Sequence, residues 1–229
     1  MIRKPNFKLN WRYALGEVLL IFIGISLAMG FQNWNEKRKA VAFENEVLEE
    51  IQSALAFDVS ELHLIRASYS EADMMIGKTM DYAENGGDQA RKDSIPYWLG
   101  SFLSFDRFNP STSAYEVLKS EGLQNITNKG LRLLIAEYYD ETIPNITQAL
   151  QDVEDDFESN VIELIKAEFE DFRFKQIALP ADIDAFLASR RNMVYLKVFR
   201  DNRNGTSDDI AKGIALNEKI REKIQEELN

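Results

Sequence analysis

From Val18 to Phe31 the chain carries fourteen residues without a charge: Val18, Leu19, Leu20, Ile21, Phe22, Ile23, Gly24, Ile25, Ser26, Leu27, Ala28, Met29, Gly30 and Phe31. Aromatic residues frame the run, Trp11 and Tyr13 before it and Trp34 after it. The 23 steps from Trp11 to Trp34 span roughly 34 Å as a helix, against a hydrocarbon core of about 30 Å. The pattern predicts a membrane-spanning helix with Trp11, Tyr13 and Trp34 as interface anchors. Glu17, close to the N-terminal end, is expected to reach the interface.

After the span the pattern becomes periodic. Val41, Leu48, Leu55, Leu62, Tyr69, Ile76 and Ala83 form an unbroken seven-residue column. The column three residues on is mixed, with Ile51, Ile65 and Ala72 apolar but Glu44, Asp58 and Thr79 polar. This is half a coiled-coil seam on one long helix over 36–85, suited to a bundle within the chain or to a coiled coil between chains. Asn85-Gly86-Gly87-Asp88 stops that helix and lacks the Lys and Ser/Thr of a phosphate-binding loop. Ser94 is placed to cap a short helix to about Phe102. Trp98, Phe102, Phe105 and Phe108 form an aromatic cluster read as core. Ser113 with Glu116 reads as a capping box and Gly122 as its helix stop. Asn128 caps a helix that Pro144 interrupts, and a long helix then runs from Ile146 to Phe172. A further helix spans about Ala181 to Arg203, Asn204-Gly205 turns the chain, and Thr206 or Ser207 caps a last helix. No stretch alternates well enough to predict a strand; Tyr195 to Phe199 comes closest. The fold class expected is all-α: a transmembrane helix continuing into a long helix, then an extramembrane antiparallel helical bundle. The expected domains are a short basic tail (1–12), the transmembrane helix (13–35) and an acidic helical domain (36–229).

Two other readings compete for the apolar run. Ser26 and Ala28 fit the small positions of a signal-peptide cleavage site, but the run continues past Ala28 to the border formed by Trp34, Lys37, Arg38 and Lys39. A core helix of a soluble protein rarely carries aromatics and bases at both ends. Arg3, Lys4, Lys8 and Arg12 precede the span and three bases follow it, so the positive-inside rule favours a cytoplasmic N-terminus and a periplasmic C-terminal domain. Gly24 with Ala28, and Ser26 with Gly30, lie four apart and form candidate helix–helix contacts, a pattern also common in ordinary apolar helices.

Charge narrows the partners. The net charge of 229 residues is −11; seven basic and two acidic residues among the first 39 contribute +5, so the remainder carries −16. Such a domain is repelled by phosphate backbones, and no nucleic acid is expected as a partner. There is no cysteine and His63 is the only histidine, so thiol chemistry, a multi-histidine zinc site and a Ser-His-Asp triad are not expected. No catalytic residue, metal or cofactor is predicted.

Tyr13 to Lys39, YALGEVLLIFIGISLAMGFQNWNEKRK, resembles the N-terminal signature of an uncharacterised family of small single-pass membrane proteins of Bacteroidota. Those proteins open with a YAxGE…NWNExRK span. Ser113 to Asp140, SAYEVLKSEGLQNITNKGLRLLIAEYYD, is similar to that family's second hallmark, a central AYExLxxxG motif followed by a helix ending in paired tyrosines. Met29 to Gln32 departs from the family pattern. The resemblance implies a single-pass inner-membrane protein with a helical extramembrane domain, and it transfers no active site. Asp93-Ser94-Ile95 resembles the short O-glycosylation motif of the same bacterial group.

The function expected is protein–protein interaction or signal relay at the envelope, with the lipid bilayer, another membrane protein or a second copy as partner. A short N-terminal tail would oblige a signal to pass laterally. The alternative is a membrane-tethered hydrolase or ligand-binding domain using carboxylates, for which Asp155 with Asp156, Glu168 with Glu170, or Glu116 with Glu121 are nominees. Carboxylates at helical spacing more often form a solvated face.

Overall fold

The seven-residue column becomes the buried seam of the domain. The computed structural model describes residues 11–229, apart from the side chains of residues 12–14. Its first helix, α1, runs Trp11–Asn85. Along it Leu48, Ile51, Leu55, Asp58, Leu62, Ile65, Tyr69, Ala72, Ile76 and Thr79 are all buried. Both columns therefore face inward, and the polar residues of the second are part of the seam. Val41, at the head of the first column, is exposed.

The elements that follow are α2 (Gln89–Phe102), α3 (Ser113–Glu121), α4 (Lys129–Glu137), α5 (Ile143–Asp156), α6 (Ile162–Glu168), strands β1 (Phe169–Arg173) and β2 (Ile177–Pro180), α7 (Ile183–Ala188) and α8 (Arg190–Leu228). The fold is all-α, with one small antiparallel hairpin. The chain divides into two units, Met1–Glu46 and Val47–Asn229. In the first, every residue from 15 to 34 is exposed. In the second, α8 runs antiparallel to α1: Asn217 donates to the Leu55 carbonyl at 3.0 Å, and Arg200 pairs with Asp73 at 3.0 Å. The core gathers Ile76, Leu99, Phe102, Val153, Phe157, Phe186, Leu196 and Phe199 from five helices and the π turn Phe157–Val161.

Several local expectations are corrected. The helix expected from Ile146 to Phe172 ends at Glu168, and Phe169 onward is β1. It pairs with β2 in the register Arg173↔Ile177 and Phe172↔Ala178, with an irregularity between Phe169 and Asp171. Lys175, at φ 59, turns the hairpin. Tertiary burial decides here. Ile177 and Ala178 are buried beneath α2, where a Cβ on Gly100 would collide with the Ile177 backbone. Tyr195 to Phe199, the nearest approach to a strand by sequence, is helical in α8.

Asn204-Gly205 makes no turn, because α8 is continuous through it. Arg203 and Thr206 on either side are buried, which fixes the helical phase against the intrinsic cost of glycine. Thr206 is no cap; its hydroxyl donates to the Asn202 carbonyl at 3.0 Å. The helix expected from Ala181 to Arg203 is split: Asp182 caps α7 and Ser189 caps α8. Asp88, six residues before Ser94, caps α2 by accepting from the Arg91 N–H. The Ser113–Glu116 capping box is absent, since Thr112 is the N-cap and makes no side-chain cap bond.

Pro144 does not interrupt the helix. A π turn, Tyr138–Thr142, precedes it and widens the coil where the proline ring would otherwise meet the carbonyl four residues back. Asn128 caps α4 as expected, and Gly122 stops α3 at φ 105.

Residues 104–112 have no regular structure and are held by side chains from four directions. Arg203 donates to the Ser104 carbonyl, Ser68 and Lys175 donate to Asp106, Arg107 forks onto Glu154, and Asp58 accepts from the Ser111 N–H.

Candidate functional site

The segment predicted to lie in lipid buries nothing within the protein. Among the described residues, the helix beginning at Leu15 is the one long and apolar enough to cross a membrane; its best window has a mean hydropathy of 1.8 and no buried residue. Leu15, Val18, Leu19, Leu20, Ile21, Phe22, Ile23, Ile25, Leu27, Met29 and Phe31 are all exposed. A contiguous apolar surface of this size is far larger than a monomeric soluble protein normally shows. Nothing lies within 4 Å of where a Cβ on Gly24 or Gly30 would sit, so both leave the helix surface open.

Trp11 and Trp34 are exposed at 71% and 56%. Trp34 contacts Phe31, with ring centroids 5.8 Å apart, and the Arg38 guanidinium lies 6.0 Å from its ring. The side chain of the third expected anchor, Tyr13, and the tail residues 1–10 lie outside the described residues.

A second constellation lies in the domain core. A π turn has five residues where an α turn has fewer, so Tyr138 and Tyr139 both point inward, 0% and 6% exposed. The Tyr138 hydroxyl accepts from the Asn217 amide at 2.9 Å, and the same amide donates to the Leu55 carbonyl. Asp58, fully buried, accepts from the Ser111 N–H at 2.9 Å through one oxygen. Among the described residues its other oxygen, the Asn217 side-chain oxygen and the Tyr139 hydroxyl have no hydrogen-bond partner. Burial pushes the Asp58 carboxyl above the ordinary carboxylate range, with Glu61 adding to the effect; the bond from Ser111 opposes it. Burial likewise raises the Tyr138 and Tyr139 hydroxyls.

The two ends of the Ser113 to Asp140 stretch meet here. Tyr139 stacks on Tyr115, with centroids 4.6 Å apart and planes 10° from parallel. The Tyr115 hydroxyl donates to Asp140 at 2.7 Å, and Lys119 donates to the same carboxylate at 2.9 Å. These bonds, Tyr115 first, hold Asp140 below its ordinary range. The AYE and YYD segments thus form one packed unit of stacked rings and a charge-assisted hydrogen bond.

The nominated carboxylates point elsewhere. Asp155 accepts from Gln151 and Asp156 from Asn160, each four residues away on its own helix. Glu116, Glu121 and Glu170 are exposed. His63 is half-exposed, 3.7 Å from Glu218. Ser94 sits inside α2 with its hydroxyl on the Ala90 carbonyl. Among the described residues no group of three or more metal-ligating side chains is assembled.

Asp58, Asn217 and Arg203 were not selected as site residues from the sequence. The available signal was phase. Each occupies a position of an otherwise apolar stripe, where a polar residue is either a solvated break or a buried partner. Comparison with known protein families finds no matching family model, and comparisons with curated proteins and with solved structures find no match.

Proposed function

We propose that the protein is a single-pass inner-membrane protein, of the uncharacterised Bacteroidota family it resembles. In this reading its acidic domain lies on the periplasmic side and works by contact with another membrane protein or a second copy. The observation that carries the reading is the apolar stretch 15–34, wholly exposed, in the same α1 that supplies the buried seam of the domain. A helix shared in this way passes a change of association or rotation to the residues it carries, if two packings lie close in energy. Of the nominated acids, Asp155, Glu116, Glu121 and Glu170 are exposed and Asp156 and Glu168 half-buried, which supports a solvated face over a hydrolytic site.

The absence of cysteine makes the test clean. Ser120→Cys, on the exposed end of α3, is expected to react with a membrane-impermeant maleimide in intact spheroplasts. Gly24→Cys or Ala28→Cys is expected to give disulfide-linked dimers, or adducts with one partner, in native membranes. Protection of Ser120→Cys until lysis would reverse the orientation, and no crosslink from any position along the span would end the contact reading.

A further inference from the structure

Residues 40–229 carry −16, yet one groove there is lined by a guanidinium, that of Arg66, with no carboxylate partner among the described residues. The groove lies between α1 and α8, encloses about 520 Å³, and is lined by His63, Arg66, Tyr69, Ser70, Asn204 and Ser207 together with Asp73. Asp73 is already engaged by both arms of Arg200. Arg66 is exposed and makes no hydrogen bond or ion pair among the described residues, and the hydroxyls of Ser70 and Ser207 likewise have no partner there.

Beneath the groove lies a second unbalanced cation. Arg203 is 2% exposed, and its guanidinium carbon sits 4.0 Å from the centroid of the Tyr69 ring that lines the groove. It donates to the Ser104 carbonyl, but among the described residues its Nη2 has no partner, and neither has the buried Tyr69 hydroxyl. Among the described residues no carboxylate is within ion-pair distance of Arg203. The two whose charges act on it, Asp73 and Asp106, are bound to Arg200 and Lys175. A buried cation without a counter-ion is costly, and an anion held nearby offsets that cost.

We propose that the α1/α8 groove binds a small phosphate-bearing anion. Arg66 and the hydroxyls of Ser70 and Ser207 hold its oxygens, and the uncompensated charge of Arg203 beneath Tyr69 favours it. A guanidinium fork beside free hydroxyls matches a phosphate, and the volume exceeds that of a bare ion, leaving room for a small organic group. The proposal does not depend on the membrane anchor.

The test uses full-length protein in two arms. In maltoside micelles, phenyl phosphate and inorganic phosphate are titrated by calorimetry. Separately, vesicles of phosphatidylglycerol are offered and retained lipid is counted by native mass spectrometry. Saturable phenyl phosphate binding is expected, weakened about tenfold or more by Arg66→Ala, as loss of a charge-assisted hydrogen bond implies. The exposed control Lys166→Ala is expected to leave it unchanged. Lipid retention that is lost in Arg66→Ala, without phenyl phosphate binding, assigns the phosphate to a lipid headgroup. No saturable binding in either arm, or binding that Arg66→Ala leaves intact, overturns the proposal.

Discussion

Two arginines placed in the middle of the apolar run separate a lipid-embedded helix from every soluble alternative. Leu15, Val18, Leu19, Leu20, Ile21, Phe22, Ile23, Ile25, Leu27 and Phe31 are ten exposed residues of the kinds that favour insertion. At about 0.3 to 0.6 kcal/mol each near the helix centre, they supply roughly 3 to 6 kcal/mol in favour of the bilayer. In the double variant Phe22→Arg/Ile25→Arg each arginine costs about 2.5 to 3.5 kcal/mol and a favourable residue is lost at each site, so the balance changes sign. None of these side chains is buried in the protein, so the domain loses no internal contact. The expected result is therefore specific. After carbonate extraction the wild-type chain stays in the membrane pellet and the double variant moves to the supernatant or fails to integrate. The domain of the variant keeps its helical circular dichroism and its melting temperature. A variant that stays in the pellet would refute the energetic argument. A variant that leaves the pellet with a melted domain would show that the run belongs to the core, contrary to its exposure here.

Two further outcomes follow from the buried network. Asp58→Asn keeps an acceptor for the Ser111 N–H and removes the charge. Because burial raises the Asp58 carboxyl in the folded state, the native protein holds that proton more tightly than the unfolded chain. The cost of the ionised form is absent below the ordinary carboxylate value and sets in as pH rises through the folded one. The variant is thus expected to melt higher than wild type at neutral pH, with the gap closing toward pH 4, whereas Asp58→Ala strips Ser111 of its acceptor and costs about 1 to 3 kcal/mol. Tyr115→Phe removes the bond to Asp140, for about 1 kcal/mol since that carboxylate is partly exposed. Asp140 is held below its ordinary value, so its contribution is present above that value and fades as pH falls through the folded one. Melting curves between pH 7 and pH 3 should show the Phe variant losing less on acidification than wild type.

Most of the seam was readable because a seven-residue repeat needs only one helix to declare itself. Leu48, Leu55, Leu62 and Ile76 are buried where the column places them. Asp58 and Thr79 make the second column mixed, and the bond that lets Asp58 stay buried comes from Ser111, far along the chain and invisible to a periodic pattern. The hairpin escaped for a similar reason. Phe169 to Arg173 continues an apolar helical spacing, and only the covering of Ile177 and Ala178 by α2 makes the strand the better choice. At Asn204-Gly205 local turn preference pointed one way and the buried neighbours Arg203 and Thr206 the other, and burial prevailed. The tyrosine stack joins two segments whose relation is set by a π turn, a feature that propensities of single residues do not encode.

That surplus residue between Tyr138 and Thr142 makes the helix there unusually intolerant of shortening. Deleting one position would restore ordinary coiling, and everything downstream would swing by about 100° about the axis. Ile146, Leu150 and Val153 would then leave the interior together. Length in this stretch is constrained more tightly than identity, so conservative exchanges should be absorbed where a single excision is not.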